Sequence, residues 1–300
     1  MMNITLAENF RAIFYVPFYA LKVLGLAERE GVAIEWLPPG APGGAIDQIK
    51  SGAIDLTWGG PMRVMKDHDS TPANGASLVC FGEVVARDPF CIIGHAEPAA
   101  FEIADLGKLR LGVVCEVPTP WLCLQADLHD AGVDVTALIA GGRVRTGLTM
   151  AQQMLALKHG ELDAIQLFEP HVSQALAERR GQLLYAACER GPTVYTTFIC
   201  SRDGLAAKHE AFAAIYRALH ALQLWVADHG AVELARVTAA FFPDVPHEIF
   251  RTAVKRYCET GVWARTAEVS EPGIERLSYS LQRGGFIGSR IDYASCVHAF

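Results

Sequence analysis

The stretch IKSGAIDLTWGGP, residues 49–61, decides the fold because it joins a helix, a strand and a turn in a fixed order. The helix ends at Gly52, a strand follows over Ile54–Trp58, and residues 59–61 form a turn that opens the next helix. Glycine suits the left-handed residue that ends a helix, and Asp55 is the polar residue of a half-buried strand. The stretch therefore predicts one helix–strand unit of an α/β protein.

The same order of residue types recurs in LKHGELDAIQLFEP, residues 157–170. Here Gly160 ends a helix, Asp163 begins the strand, and Pro170 opens the next helix. Asp163 lies 108 positions after Asp55 (163 minus 55). Two matching units predict two similar α/β lobes.

Strands and helices also alternate outside these two stretches. Further predicted strands are Ile4–Glu8, Val32–Leu37, Leu111–Cys115, Val135–Ile139, Leu183–Ala187 and Val194–Cys200. Predicted helices are a segment opened by Pro17, then Ala45–Lys50, Thr119–Asp130, Gly147–Lys158, a segment from His209, Ala231–Phe241, His247–Glu259 and Gly273–Arg283. Such alternation is typical of parallel βαβ units with right-handed crossovers.

The helical C-terminal third suggests that the chain returns to its first lobe before it ends. No low-complexity linker separates the lobes, and we place the two crossings near Val85–Pro89 and Gly191–Thr196. We therefore predict that residues 1–87 and 196–300 form lobe 1 and that residues 88–195 form lobe 2.

Composition restricts the class of protein. With 51% hydrophobic and 20% charged residues, the 300-residue chain is not a disordered or coiled-coil protein. The net charge of −7 and the scattered basic residues make nucleic acid an unexpected partner. The longest stretch without Asp, Glu, Lys or Arg, residues 70–82, is too short and too polar to be an integral membrane segment.

The eight cysteines and the N-terminal residues give information on the cellular compartment of the protein. No two cysteines form a C-x-x-C pair and several lie in apolar runs, so we expect most to be buried in a reducing environment. Glu8 and Arg11 stand where a signal peptide would have its apolar core. The chain is therefore cytoplasmic as given, or periplasmic or membrane-associated if a signal has been removed.

Motifs of common catalytic classes are missing, which favours binding over catalysis. The sequence has no G-x-S-x-G, no G-x-x-x-x-G-K-[ST], no G-x-G-x-x-G and no H-E-x-x-H. No two of the ten histidines are four residues apart, as a metal pair on one helix would be. We expect no metal and no cofactor.

Five loops at the carboxyl ends of predicted strands form the candidate site, because open α/β sheets bind ligands there. Each ends at a helix N-terminus, where N–H groups and the helix dipole suit a carboxylate, sulfonate or phosphate. The aromatic rings in these loops either stack on a flat ligand or belong to the core. The candidate ligand-binding residues are Asn9, Phe10, Phe14, Tyr15, Gly43, Gly44, Trp58, Gly59, Gly60, Glu83, Pro118, Thr119, Trp121, Phe168 and Glu169.

Several of these residues have two interpretations. Glu169 either faces the cleft or caps the helix that starts after Pro170. Glu83 lies just before the first crossing and is a hinge or ligand residue. Arg63 is either a cleft cation or a surface residue of its helix. Thr119 is also predicted to be the N-cap of the helix that follows.

The motifs together resemble the solute-binding family for nitrate, sulfonate, taurine and thiamine-pyrimidine precursors, which includes the fungal thiamine-pyrimidine synthases. The resemblance rests on the opening strand, the Pro17 helix, SGAID at 51–55, DPF at 88–90 and FEP at 168–170. It implies the type II periplasmic-binding-protein fold, with two α/β lobes, two crossing segments and a ligand closed in the cleft.

The resemblance also allows the enzymes on this fold to be tested residue by residue. Gly59 and Arg63 stand where the pyrimidine synthases carry a cofactor-binding lysine and a substrate histidine. Residues 191–195 replace the synthases' cysteine-rich run, and Phe10 stands near the nucleophilic cysteine of a related desulfinase. Neither chemistry is therefore expected from this chain.

We predict a solute-binding protein rather than an enzyme. It would hold a small, polar, planar organic molecule, such as a thiamine-pyrimidine precursor, a sulfonate or an aromatic acid, and present it to an ABC permease after hinge closure. The alternative is a cytoplasmic enzyme or ligand sensor on the same scaffold, in thiamine-pyrimidine metabolism or with desulfinase- or decarboxylase-like chemistry.

Overall fold

The computed structural model describes residues 1–71, 75–95 and 101–300. Its strands are β1 Met2–Ala7, β2 Val32–Leu37, β3 Leu56–Gly59, β4 Leu78–Val85, β5 Cys91–Gly94, β6 Leu111–Gly112, β7 Val144–Arg145, β8 Ala164–Leu167, β9 Gln182–Ala186 and β10 Thr196–Ser201. Its α-helices are α1 Val16–Val23, α2 Leu26–Arg29, α3 Ile46–Lys50, α4 Met62–Ser70, α5 Thr119–Asp130, α6 Val135–Ala140, α7 Met150–Lys158, α8 His171–Ala177, α9 Arg202–Ala207, α10 His209–Thr238, α11 His247–Glu259, α12 Glu271–Arg283 and α13 Tyr293–Cys296.

The strands form two five-stranded mixed sheets. The order is β2-β1-β3-β10-β4 in the first sheet and β7-β6-β8-β5-β9 in the second. The pairs β1–β2, β1–β3, β6–β7 and β6–β8 are parallel, as the alternation of strands and helices predicts. In each sheet, however, one strand that arrives from the other sheet runs antiparallel: β10 in the first and β5 in the second. The predicted α/β class with two sheets is confirmed.

The chain passes between the sheets twice. It leaves the first sheet at Val85 and enters the second at Cys91, and it returns between Ala186 and Thr196. We call residues 86–90 and 187–195 the crossing segments. The lobe boundaries proposed above, at residues 87/88 and 195/196, fall in or beside them and remain a proposal.

The two matching stretches of sequence form the same local structure. Gly52 and Gly160 have positive φ angles of 74° and 69°, which is the left-handed conformation that ends a helix. The Asp55 carboxylate accepts the N–H of Thr5 at 2.9 Å, and the Asp163 carboxylate accepts the N–H of Arg110 at 2.8 Å. In both units the aspartate therefore accepts a backbone N–H from the neighbouring strand or from the residue just before it.

One predicted strand is wrong. Residues 135–139, predicted as a strand, form helix α6 instead. Asp134 accepts the N–H of Ala137 at 2.9 Å and so caps the helix N-terminus, which the β-branched residues in the segment had concealed.

An aromatic cluster packs where the two sheets and the crossing segments meet. The Phe168 ring lies edge-on to Phe14, at 5.3 Å between centroids, and to Phe90, at 5.1 Å. Tyr195 joins the cluster through Phe14 at 5.8 Å. Within the described residues, no helix is long and apolar enough to cross a membrane.

Candidate ligand-binding cleft

A small cavity lies between the two lobes, at the carboxyl ends of β1, β3 and β6. Its volume is about 30 Å³, which is room for about one water molecule. Both lobes and the second crossing segment line it, through Asn9, Phe10, Tyr15, Pro42, Gly60, Met62, Arg63, Val117, Pro118, Thr119 and Tyr195. This is the edge at which open α/β sheets bind ligands.

Six of the fifteen predicted site residues line this cavity, and three more support it. The six are Asn9, Phe10, Tyr15, Gly60, Pro118 and Thr119. Gly43 and Gly44 belong to the loop that leads to α3, and Gly59 lies behind Asn9, where an added Cβ would approach the Asn9 Nδ2 within 3.4 Å. Whether these residues bind a ligand remains a proposal; the structure brings them together.

Asn9 connects two of the cleft loops. Its Oδ1 accepts the N–H of Gly43 at 2.8 Å, and its Nδ2 donates to the Tyr15 hydroxyl at 3.3 Å. Asn9 is only 7% exposed, so these contacts use both ends of a buried amide. Asn9 therefore holds the loop after β1 against the loop after β2.

Arg63 is the one charged side chain among the described residues that line the cavity. It lies in the first turn of α4 and extends over Gly43. A Cβ built on Gly43 would be 1.9 Å from the Arg63 Cζ, so this guanidinium needs a glycine beneath it. The position also has φ of +75°, which glycine adopts readily.

The Arg63 guanidinium has no side-chain partner. Within the described residues it forms neither a hydrogen bond nor an ion pair, although it is half-buried. Burial lowers the pKa of Arg63, and this effect outweighs the opposing interaction with Tyr15. The N-terminal ends of α4 and α5 also point their dipoles toward the cavity. Among the described residues that line it, the cleft therefore has a positive charge and no acidic side chain to balance it.

Thr119 joins the two lobes across the cleft. Its hydroxyl donates to the Met62 Sδ at 2.7 Å, so α5 of one lobe contacts α4 of the other. Thr119 was predicted to be the N-cap of its helix, and this is wrong: it is the first helical residue, and Pro118 occupies the cap position. The hydroxyl thus bonds to a weak sulfur acceptor, which a better acceptor in the cleft would displace.

The predicted stacking aromatics are mostly core residues. Trp58 is 1% exposed and stacks on Phe18, with the rings 4.4 Å apart and 8° from parallel, so that face is already covered. Phe14 and Phe168 belong to the aromatic cluster described above. Trp121 packs, partly buried, against a core cluster of the second lobe. The rings that do border the cavity are Phe10, Tyr15 and Tyr195.

Glu169 does not face the cavity. Its carboxylate accepts the Ser173 N–H at 2.9 Å and the Ser173 hydroxyl at 2.8 Å, which is the capping interpretation. It also pairs with Arg256 of α11 at 2.9 Å. The side chain is fully buried, and burial raises the pKa of Glu169 although these partners oppose it.

Glu83 also lies away from the cleft. It borders a separate cavity beside the crossing segments, and one of its oxygens accepts the Ser270 N–H at 2.6 Å. The geometry therefore does not support a direct contact of Glu83 or Glu169 with a ligand in the cleft.

Five residues that line the cavity are missing from the candidate ligand-binding residues: Pro42, Met62, Arg63, Val117 and Tyr195. Only Arg63 was considered from the sequence, as either a cleft cation or a surface residue. One signal for Arg63 is present in the sequence. A cation in the first turn of a helix is unfavourable because the helix dipole is positive there. Arg63, two residues after Pro61, lies in the first turn of α4. A neutral or acidic side chain would stabilise the helix more at this position.

The fold and the cleft define a two-lobed α/β protein of the type II periplasmic-binding class, with an electropositive site between its lobes. The chain belongs to the family described as NMT1/THI5 like, whose family model matches residues 14–229. It is similar to "Putative binding protein YtlA" of Bacillus subtilis (strain 168), with 22% identity over 322 aligned positions that cover 99% of this chain and 88% of that relative.

Solved structures show the same architecture. The periplasmic aliphatic sulphonate binding protein SsuA of Escherichia coli matches with a TM-score of 0.76 at 15% identity, covering all of this chain and 92% of that one. The alkanesulfonate-binding protein SsuA of Xanthomonas axonopodis pv. citri, bound to MOPS, matches with a TM-score of 0.70 at 16% identity, covering 99% and 98%. With the family match, they confirm the predicted fold and support the predicted role of a solute-binding protein.

Proposed function

We propose that this protein binds a small organic anion, of the sulfonate or carboxylate class, between its lobes and delivers it to the permease of an ABC importer. The observation that carries the proposal is the Arg63 guanidinium in the cleft, which has no ion-pair partner among the described residues. A desolvated cation without a counter-ion is costly, so a site of this kind favours an anionic ligand.

The geometry suggests how each part of the anion is held. Arg63 presents paired N–H donors, which suit two oxygens of a carboxylate or sulfonate. The Thr119 hydroxyl and the first turns of α4 and α5 add donors from both lobes. The organic part of the solute meets Phe10 and Tyr195. This narrows the broader prediction of a planar solute that stacks on the aromatic rings of the five loops.

Binding requires the lobes to move apart. A cavity of about 30 Å³ does not admit a sulfonate, so the Thr119–Met62 contact must open before the solute enters. Closure on the solute would then produce the form that a permease recognises. The proposal places the protein outside the cytoplasmic membrane, in line with the periplasmic SsuA of Escherichia coli.

The test is calorimetric titration with pairs of ligands that share a shape but differ in charge, such as benzenesulfonate and benzenesulfonamide. The charged member is expected to bind roughly 10- to 100-fold more tightly, because a hydrogen bond to a charged group contributes about 1.5–3 kcal/mol. Equal affinity within such pairs would contradict an anion site.

The transport role has its own test. Cells in which the gene for this chain is deleted should lose high-affinity uptake of the solute that the purified protein binds. Unchanged uptake would separate the binding activity from transport and would favour a ligand sensor on the same scaffold.

A further inference from the structure

A second cavity lies apart from the cleft, on the side of the crossing segments. Its volume is about 770 Å³, and it shares no lining residue with the cleft cavity. We call it the hinge groove: it is bordered by Ala86 and Arg87 of the first crossing segment, Pro192 of the second, and the segment Gly261–Pro272. An occupant of the groove would thus contact both connections between the lobes.

Glu83, on β4, is the buried acidic residue that borders the hinge groove. The residue is only 2% exposed. Its Oε2 accepts the Ser270 N–H at 2.6 Å, whereas its Oε1 is buried and has no hydrogen-bond partner among the described residues. One backbone N–H is too little compensation for a buried carboxylate, which prefers two or more donors or a cation.

No protein cation neutralises this carboxylate within the described part of the chain. Arg87 and Arg265 border the same groove, but neither forms an ion pair with Glu83, and Arg87 donates to the Cys188 carbonyl at 3.4 Å instead. The groove also contains Glu268 and Glu271 at its exposed edge. Three carboxylates against two guanidiniums leave one excess negative charge when all are ionised.

We propose that the hinge groove is a second ligand site, which binds a small organic cation whose ammonium group donates a hydrogen bond to Oε1 of Glu83. Burial raises the pKa of Glu83 to about 7, and only the Ser270 N–H opposes this effect. A bound ammonium group supplies the missing positive charge and stabilises the ionised carboxylate. The site is independent of the anion site in the cleft and takes a ligand of opposite charge.

In the first experiment, the full chain is titrated with methylammonium chloride at about pH 8, where Glu83 is largely ionised. Binding is measured by calorimetry and by the shift in Tm. Tetramethylammonium is the matched probe, because it has the same charge but no N–H donor. We expect saturable binding of methylammonium and binding of tetramethylammonium at least about tenfold weaker. No saturable binding of methylammonium, or equal binding of the two cations, would overturn the proposal.

The second experiment uses Glu83→Gln, which keeps an oxygen to accept the Ser270 N–H and removes the negative charge. Glu268→Gln is the control, since it removes the same charge from the exposed edge of the groove. We expect methylammonium affinity to fall at least about tenfold in Glu83→Gln and to change by less than about threefold in Glu268→Gln. If both variants lost methylammonium affinity equally, the attraction would be general electrostatics, which would overturn the proposal.

Amide hydrogen exchange of the wild-type protein makes the proposal testable even if Glu83→Gln fails to fold. Methylammonium should slow exchange at Ser270 and in the surrounding residues 261–272. Protection located elsewhere, or none, would show that the cation does not occupy the hinge groove.

Discussion

Arg63 and Arg190 are two arginines that are both at least partly buried but differ in their charged neighbours. The Arg190 side chain is 2% exposed and lies between Asp88, at 3.1 Å, and Asp127, which it binds through two nitrogens at 2.6 Å and 2.5 Å. Arg63 is half-buried in the cleft and has no carboxylate partner among the described residues. The first charge is neutralised within the protein, and the second is not.

The pKa values of the two arginines follow this difference. Burial lowers the pKa of both groups, but for Arg190 the attraction of Asp88 and Asp127 outweighs burial and raises the pKa well above its usual value. For Arg63, burial outweighs the interaction with Tyr15, no carboxylate among the described residues adds to that interaction, and the pKa falls. Removing one member of a neutralised buried ion pair destabilises the fold, whereas an unneutralised cation at a cavity is the feature on which the proposed anion site rests.

The largest expected effect is on the Arg190 cluster. Arg190→Met leaves the buried Asp88 without its ion-pair partner and Asp127 with Arg276 alone, at 3.0 Å, so we expect a loss of about 3–5 kcal/mol in the free energy of unfolding. Urea unfolding at neutral pH measures it. Part of the loss should be recovered at acidic pH, because burial raises the pKa of Asp88 and its carboxylate is then protonated. A change below about 1 kcal/mol would show that Arg190 and Arg63 do not differ in the way proposed.

Glu83, like Arg63, is a charged residue without an ion-pair partner among the described residues, and its burial makes stability depend on pH. Its folded-state pKa of about 7 lies above the ordinary value of 4.5, so between these pH values the folded chain binds more protons than the unfolded chain. Stability therefore falls as pH rises through this window, by on the order of 3 kcal/mol.

Glu83→Gln removes this dependence. The free energy of unfolding of the variant minus that of the wild type should increase progressively from about pH 4.5 to about pH 8. Taking this difference at each pH cancels the contributions of other titrating groups, which the two proteins share. Chemical unfolding at several pH values measures it. If the free energy of unfolding of the two proteins changes with pH in parallel, Glu83 does not contribute to the pH dependence of stability.

The smallest effect is expected at the glycine beneath Arg63. Gly43→Ala places a methyl group 1.9 Å from the original position of the Arg63 Cζ, so the guanidinium must move and anion affinity should fall about tenfold. Gly52→Ala is the matched control, because Gly52 has nearly the same φ, +74°, and nothing within 4 Å of an added Cβ. Both variants should lose about 1 kcal/mol of stability, but only Gly43→Ala should lose affinity.

Much of the fold could be predicted from local patterns. The helices Thr119–Asp130 and His247–Glu259 have the predicted bounds, because their apolar spacing and end signals lie within the segment itself. Strand β5 was not predicted. Its four residues, CIIG, are apolar on both faces and acquire their antiparallel register only from contacts with β8 and β9, far along the chain.

The site was harder to predict because its residues differ from core residues only in three-dimensional placement. Phe10 and Trp58 are both aromatic residues in or beside loops at strand ends, yet one borders the cavity and the other stacks on Phe18 in the core. The role of Arg63 depends on the loop that brings Gly43 beneath it, which no local pattern encodes. The sequence therefore located the loops but left open whether Arg63 lies in the cleft or on the surface.

The most direct test compares Arg63→Met with Lys66→Met, which removes the same charge from an exposed position of the same helix. The measurement is the shift in Tm that benzenesulfonate, or the tightest-binding anion found, causes in each variant. We predict that Arg63→Met is at least as stable as wild type without ligand and shows no shift, while Lys66→Met keeps the wild-type shift. An undiminished shift in Arg63→Met, or a marked loss of its stability, would contradict the assignment of Arg63 as the anion-binding residue.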